Sequence, residues 1–314
     1  MRTFAHCLLP IACCPHGCCP HQPQSKVSNF WLFAFAFCFF ALTSCYTPRY
    51  VYSPSAHNVP VFVKKGDAKL AFNYSTNFSK RNATEAIVKD NRSSGIDLQG
   101  AYAVSKNFAL QLNYYHRTEK NNGDFSANNL DSSVINYTRN LTEIGVGYYR
   151  QLMHNDQAIF QVFAGIGFGR FKFTDIGRDQ FNVFHNNFHD AGITKLYVQP
   201  AFTIRNKNNF SASLSSRFSL VYFKDIKTDY NATELDNYKL DSLNYRPRLF
   251  WEPAIVNTFG FKKLPGLQLE FQAGLSLLQS RLFIDYRSFN FSAGILVDPP
   301  RLLKKKLKPK VAGA

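Results

Sequence analysis

Leu267-Gln268-Leu269-Glu270-Phe271-Gln272-Ala273-Gly274-Leu275 is the stretch whose reading decides the fold. Apolar residues alternate one for one with glutamine, glutamate and glycine, the period of two that belongs to a β-strand with unlike faces. Nine further runs after residue 67 repeat the design. Leu70, Phe72 and Tyr74 oppose Lys69, Ala71 and Asn73, and Ile96, Leu98 and Tyr102 oppose Asp97, Gln99 and Ala101. Phe108, Leu110 and Leu112 oppose Gln111 and Asn113, while Ile144, Val146 and Tyr148 oppose Glu143, Gly145 and Gly147. Phe160, Val162, Ile166 and Phe168 face away from Gln161, Gly165 and Gly167. Leu196, Val198 and Phe202 are set against Lys195 and Gln199, and Phe210, Leu214 and Phe218 against Ser211, Ser213 and Arg217. The run at 249–261 is less regular and reads with Trp251, Ile255 and Phe259 on one face and Glu252 on the other; the last run sets Phe289, Phe291 and Ile295 against Asn290, Ser292 and Gly294.

The connections alternate as well. Short turns fall at 105–107, 154–156, 206–208 and 262–266, and long polar segments at 77–94, 116–138, 173–192 and 224–247, with a shorter one at 279–286. Strands cross lipid only as a closed sheet, because hydrocarbon offers the backbone no hydrogen-bond partner. Runs of about 9–11 residues with short turns on one rim and long loops on the other therefore predict an all-β, antiparallel up-and-down transmembrane barrel of about ten strands over 68–298. Short turns would be periplasmic and long loops extracellular, and an even strand count puts both termini on the periplasmic side. Tyr74, Tyr114, Phe168, Tyr197, Tyr222 and Trp251 are expected in the aromatic girdles. A soluble sandwich, or a lipocalin-like ligand-binding barrel in the periplasm, also alternates but turns its apolar face inward. Here the second face is rich in glycine and serine, poor material for a solvated surface and suited to a narrow bore.

With that orientation Asp97, Glu143, Glu252 and Glu270 point to the axis together with Lys69, Lys195 and Arg217. The near balance predicts a salt-bridged, filled lumen and not an ion-selective pore, since a buried charge without a partner costs several kcal/mol.

The first part of the chain reads differently. Residues 30–42 form an apolar run of thirteen, too short for a spanning helix of about 20. Lys26 precedes the run and Thr43-Ser44-Cys45 ends it, the parts of a secretory signal over 1–44. All seven cysteines lie at or before Cys45, so the body uses neither disulfides nor a thiolate metal site. Cys13-Cys14-Pro15-His16 and Cys18-Cys19-Pro20-His21 fall in 1–25, which reads as an n-region or as a start assigned too far upstream. Residues 45–67, with Pro48, Pro54 and Pro60, read as an extended tether. Leu42-Thr43-Ser44-Cys45 resembles the lipobox of bacterial lipoproteins, which implies acylation of Cys45.

Asn58-Val59-Pro60-Val61 followed by Lys65-Gly66-Asp67, just ahead of the first strand, is similar to the leaders of Bacteroidota outer-membrane β-barrel lipoproteins. The resemblance spans about 42–298 and implies a location and a fold; members are mostly of unassigned function. The basic extension 299–314 departs from the barrel habit of ending at an aromatic-tipped strand.

The formal charge of +16 over 314 residues does not point to nucleic acid, because six of the cations sit in the last fourteen residues, where there is no acid. That tail is suited to anionic headgroups. The expected partners are outer-membrane lipid and, through the long loops, a surface glycan or protein. No cofactor and no metal is expected. Barrel hydrolases acting on lipid A or peptides need histidine with carboxylate or serine near the outer rim. The candidates are His116, His185, His189 and Asp190, yet no glutamate follows His185 as a zincin motif requires. A structural or binding role is the leading expectation, with a small pore or a barrel enzyme as the alternatives.

Overall fold

The computed structural model describes residues 49–79, 92–124, 132–152, 157–178, 183–206, 210–280 and 283–306. Residues 1–44, read above as a signal, Cys45 and residues 307–314 lie outside them. The strands are β1 (Ala68–Phe78), β2 (Ser93–Ala103), β3 (Phe108–Asp124), β4 (Ser132–Gln151), β5 (Ala158–Arg178), β6 (Phe184–Arg205), β7 (Phe210–Thr228), β8 (Arg248–Phe261), β9 (Leu264–Leu275), β10 (Leu277–Leu278) and β11 (Phe289–Val297). Each pairs antiparallel with the next around a ring, and β11 closes it by pairing with β9 on one side and β1 on the other. β10 is a two-residue continuation of β9 that pairs with Trp251 and Phe250 of β8, so ten strands build the wall.

The alternation decides which side is greasy. Leu70, Phe72, Leu112, Ile144, Leu214, Ile255 and Phe271 are exposed on the outside, while Glu270 and Gln272 are buried in the bore. A soluble barrel cannot leave such a belt in water. On β5 the outward row runs Phe160, Val162, Ala164, Ile166 and Phe168 before turning polar at Arg170 and Lys172. Eight residue steps at ~3.3 Å, tilted by ~40°, make a band of roughly 20 Å, close to that of a membrane barrel.

Two expectations are corrected by the pairing register. The segments at 116–138 and 173–192 are largely not loops: β3 and β4 stay paired to Asp124↔Ser132, and β5 and β6 to Arg178↔Phe184. Polar side chains do not break a ladder whose backbone bonds are already aligned, so the hairpins continue upward beyond the belt. Tyr197 leaves the girdle. Its neighbours Leu196 and Val198 face lipid, so Tyr197 faces inward and is buried, its hydroxyl accepting from Gln111 Nε2 at 2.5 Å.

The glycines of β4 and β5 make room for that ring. A methyl on Gly145 would lie 2.5 Å from the Tyr197 hydroxyl, and one on Gly165 would lie 2.6 Å from it and 2.3 Å from the Ile144 carbonyl oxygen. Gly145→Ala is expected to destabilise the barrel by about 1–3 kcal/mol, relieved in part by Tyr197→Phe. Gly165→Ala should not be relieved, because backbone cannot be trimmed. Unfolding midpoints of the four variants in detergent check both statements.

Below the short-turn rim β11 is followed by α2 (Pro299–Lys306), which starts the basic tail as a helix. Asp298 accepts from the Arg301 backbone NH at 3.2 Å and pairs with its guanidinium at 2.8 Å. On the opposite rim the β7–β8 connection holds the short helix α1 (Ala232–Asn237), closed by a capping box between Asn231 and Glu234.

Candidate functional site in the barrel bore

The bore is filled by the protein's own leader. Residues 49–62 are almost wholly buried and run along the axis, extended, as Pro54 and Pro60 favour. The reading of 45–67 as a tether therefore needs correction: the part described is extended, but it lies inside the barrel. Its composition explains why. Tyr50 to Val63 carries no Lys, Arg, Asp or Glu and includes Tyr52, Val59 and Phe62, which bury readily.

The wall supplies hydrogen bonds to this chain most densely from Pro54 to Asn58. Asn77 Nδ2 donates to the Pro54 carbonyl at 3.0 Å, and Gln99 Nε2 to the Ala56 carbonyl at 3.2 Å. Gln272 closes a two-way pair with His57, its Oε1 accepting from the backbone NH and its Nε2 donating to the carbonyl, both at 2.8 Å. Gln199 Nε2 donates to the Asn58 carbonyl at 2.9 Å, and Asn58 Nδ2 donates to Asn113 Oδ1 at 2.7 Å. Lumen glutamines and asparagines thus stand in for the strand partner that an extended backbone otherwise lacks. Val59 packs with Ala201 and Val256, and Phe62 with Ala101, Ala103, Ala109, Tyr149 and Phe163.

At the lower end the chain reverses into β1. Asp67 Oδ2 accepts from the Val63 and Lys64 backbone NH groups at 2.8 and 2.9 Å, and Asp67 NH donates to the Lys64 carbonyl at 3.2 Å. Gly66 sits at φ +86°, the left-handed position such a turn requires. The Lys65-Gly66-Asp67 motif is this turn.

All seven charges assigned to the lumen are buried there. Lys69 Nζ lies 2.6 Å from Glu270 Oε2, whose other oxygen accepts from Asn73 at 3.1 Å and Gln272 at 2.9 Å. Lys195 Nζ is 3.0 Å from Glu143 and 3.8 Å from Glu252. Glu252 also accepts from Ser219 at 2.7 Å and from the leader's Tyr52 hydroxyl at 2.8 Å. Asp97 pairs with Arg117 at 2.7 Å. Arg217 goes to the leader instead, donating to Gln199 and Ser55, both at 2.8 Å, and to the Ala56 carbonyl at 3.3 Å.

A second tier of charge, unforeseen from sequence, lies toward the long hairpins. Glu119 is held between Arg139, at 2.9 Å, and Arg287. Arg139 also donates to the Tyr50 carbonyl, and the Arg287 guanidinium lies 3.7 Å from the Tyr50 ring centroid. Above them Arg49 pairs with Asp175, which also accepts from Ser133 and from the Tyr230 hydroxyl at 2.7 Å. Burial opposes the charge on Arg49, but Asp175 and three tyrosines outweigh it and hold the guanidinium above its ordinary range. Burial likewise raises the Tyr230 phenol. Glu119, Ser133, Asp175 and Tyr230 fall in stretches read as loop, Arg139 and Arg287 just beyond such stretches and Arg49 in the stretch read as a tether; the continued inward phase of Arg117, Glu119, Arg139 and Asp175 is the signal the sequence carries.

The histidine candidates do not converge. His116 is half-buried on the outward face of β3. His189 is buried and stacks on Phe173 at 5.4 Å between centroids, while Asp190 turns outward to Arg170 at 3.0 Å. His185 lies 3.6 Å from Asp175, a carboxylate already engaged by Arg49, Ser133 and Tyr230. Among the described residues no cluster of His, Cys, Asp and Glu is arranged to hold a metal.

A closed ten-stranded antiparallel wall, apolar outside and polar within, makes this chain a β-barrel of the bacterial outer-membrane type. No family model and no curated protein matches its sequence. Solved structures similar to it include the outer membrane protease OmpT from Escherichia coli, with 9% identity and a TM-score of 0.38 over 74% of this chain and 95% of that one. The translocator domain of the autotransporter NalP from Neisseria meningitidis has 9% identity and a TM-score of 0.42, covering 74% and 88%. The outer membrane phospholipase A from Escherichia coli has 11% identity and a TM-score of 0.28, covering 78% and 95%. At these scores no activity carries over, and the barrel assignment rests on this chain's own pairing register.

Proposed function

We propose that the chain is an outer-membrane barrel lipoprotein of the Bacteroidota kind, closed to solutes, with a structural or binding role carried by its long hairpins. The leader seated in the bore is the observation that carries this reading. Wall and leader satisfy one another, which favours a rigid support over a conduit. The acyl group on Cys45 and the removal of 1–44 belong to the same reading, supported by Lys26, the apolar run and Leu42-Thr43-Ser44-Cys45. A surface glycan or protein is the expected partner of the hairpins. The cations of 299–314 suit anionic headgroups, with attraction of about 1 kcal/mol for each Lys or Arg near the surface. We assign the protein no catalytic role: His189 is enclosed by Phe171 and Phe173, and His185 shares a carboxylate committed to Arg49.

Radiolabelled palmitate fed to expressing cells is expected to enter a heat-modifiable outer-membrane band, and Cys45→Ala is expected to abolish that incorporation. Equal incorporation in the variant would remove the lipoprotein reading; a band confined to the soluble fraction would remove the membrane reading.

A further inference from the structure

The leader has a direction, and the direction has a consequence for the N-terminus. Val63 lies at the short-turn rim, where its carbonyl accepts from Gln151 Nε2 at 2.7 Å. His57 and Asn58 lie at mid-bore against Ser215 and Asn113. Arg49 lies at the other end: it pairs with Asp175, three residues before β5 ends, and its guanidinium sits 4.0 Å from the ring centroid of Tyr238. Tyr238 and Tyr230 belong to the β7–β8 connection, one of the long ones. Each step toward lower residue number is a step toward the long hairpins.

The chain has no slack to turn back inside the bore. Residues 49–63 reach at most about 50 Å when fully extended. The wall between Ile159 and Asp175 rises roughly 40 Å at a strand tilt of ~40°. A nearly straight path uses most of that reach.

We propose that the N-terminal end of the mature chain emerges on the same side of the membrane as the long hairpins, while β1 starts and β11 ends on the other. This revises the expectation that both termini share the short-turn side: an even strand count governs the ends of strands, not a leader that returns through the bore. Cys45 precedes Arg49 by four positions in the sequence. Resting on the acylation proposed above, the lipid anchor then belongs to the outward-facing leaflet, and the protein is held from the cell surface as well as by its belt.

Three variants, each with one added cysteine, test this with a membrane-impermeant maleimide: Thr47→Cys, two positions before Arg49 in the sequence, Asn237→Cys in α1, and Lys106→Cys in a short turn. The unsubstituted chain is the blank. Thr47→Cys and Asn237→Cys are expected to react on intact cells as fully as after permeabilisation, and Lys106→Cys only after it. Reaction of Thr47→Cys together with Lys106→Cys, opposite to Asn237→Cys, would overturn the proposal. If Asn237→Cys were the shielded one, the outward orientation of the hairpins would fall, and the proposal would still be judged by whether Thr47→Cys follows it. A blank that reacts would show that Cys45 is unacylated or that residues 1–44, with six cysteines, are retained, and its own sidedness would then decide. Should Thr47→Cys fail to assemble, Arg49→Cys with Asp175→Cys is treated with a short bis-maleimide, which adds one thiol at each end and spans the length that the two lost side chains leave open. A crosslinked, faster-migrating band supports the threaded path, and its absence in folded protein overturns it.

Discussion

A chain lacking residues 49–63 but keeping the Lys64–Asp67 turn is expected to conduct ions in planar bilayers, and the full chain to stay silent. The leader occupies the axis, and the wall side chains that meet it are hydrogen-bond donors and acceptors aimed at its backbone. Ten strands enclose more space than the packed bore of an eight-stranded barrel. Without the leader, Gln99, Gln199, Gln272 and Arg217 line that space and draw water. Stability should fall too. Withdrawal of Tyr52, Val59 and Phe62 forfeits about 1.5–3 kcal/mol for each buried apolar side chain, before the unpaired polar groups are counted. Folded protein that stayed silent would mean that the wall seals by itself and that the leader is an ornament of the bore. Steady current steps from the full chain would defeat the closed-barrel reading directly.

Glu119→Ala is the point substitution expected to cost most. It leaves Arg139 and Arg287, both fully buried, facing each other without the carboxylate between them. Removing one partner from a buried ion pair costs about 3–5 kcal/mol, because the remaining charge keeps its desolvation penalty. Glu119→Gln should lose less, since its amide oxygen still accepts. Asp236→Ala, which breaks an exposed pair with Lys239, should change little. Urea midpoints of the four proteins in the same detergent make the comparison. A loss in Glu119→Ala no larger than in Asp236→Ala would show that the arginines find other acceptors. The triad also holds the leader, through the Tyr50 carbonyl on Arg139 and the Tyr52 carbonyl, which accepts from the Arg287 backbone NH at 2.9 Å. Glu119→Ala should therefore loosen the upper leader and add transient current to the otherwise silent barrel.

Much of the bore was legible residue by residue. Trp251, Ile255 and Phe259 face out and Glu252 faces in, even in the least regular strand. Lys69, Asp97, Glu143, Lys195, Arg217 and Glu270 are all buried on the inner face. Which of them meet was not legible. Lys69 and Glu270 stand 201 positions apart and are joined only because β11 lies between β1 and β9. Tyr197 misled by composition, an aromatic near a strand end, although the phase of Leu196 and Val198 already turned it inward.

By itself the sequence determined the inside and outside of the ten runs it marked as strands, Tyr197 apart, because the side-chain period of two is a local property that needs no knowledge of a partner. It determined the alternation of rims for the same reason, since turn and hairpin lengths are counted along the chain. Only the closed ring decided that residues 49–63 are a plug. Their contacts come from nine strands, β1 to β9, at once, and a proline-broken segment without periodicity carries no local mark of an environment that exists only after the barrel has closed around it.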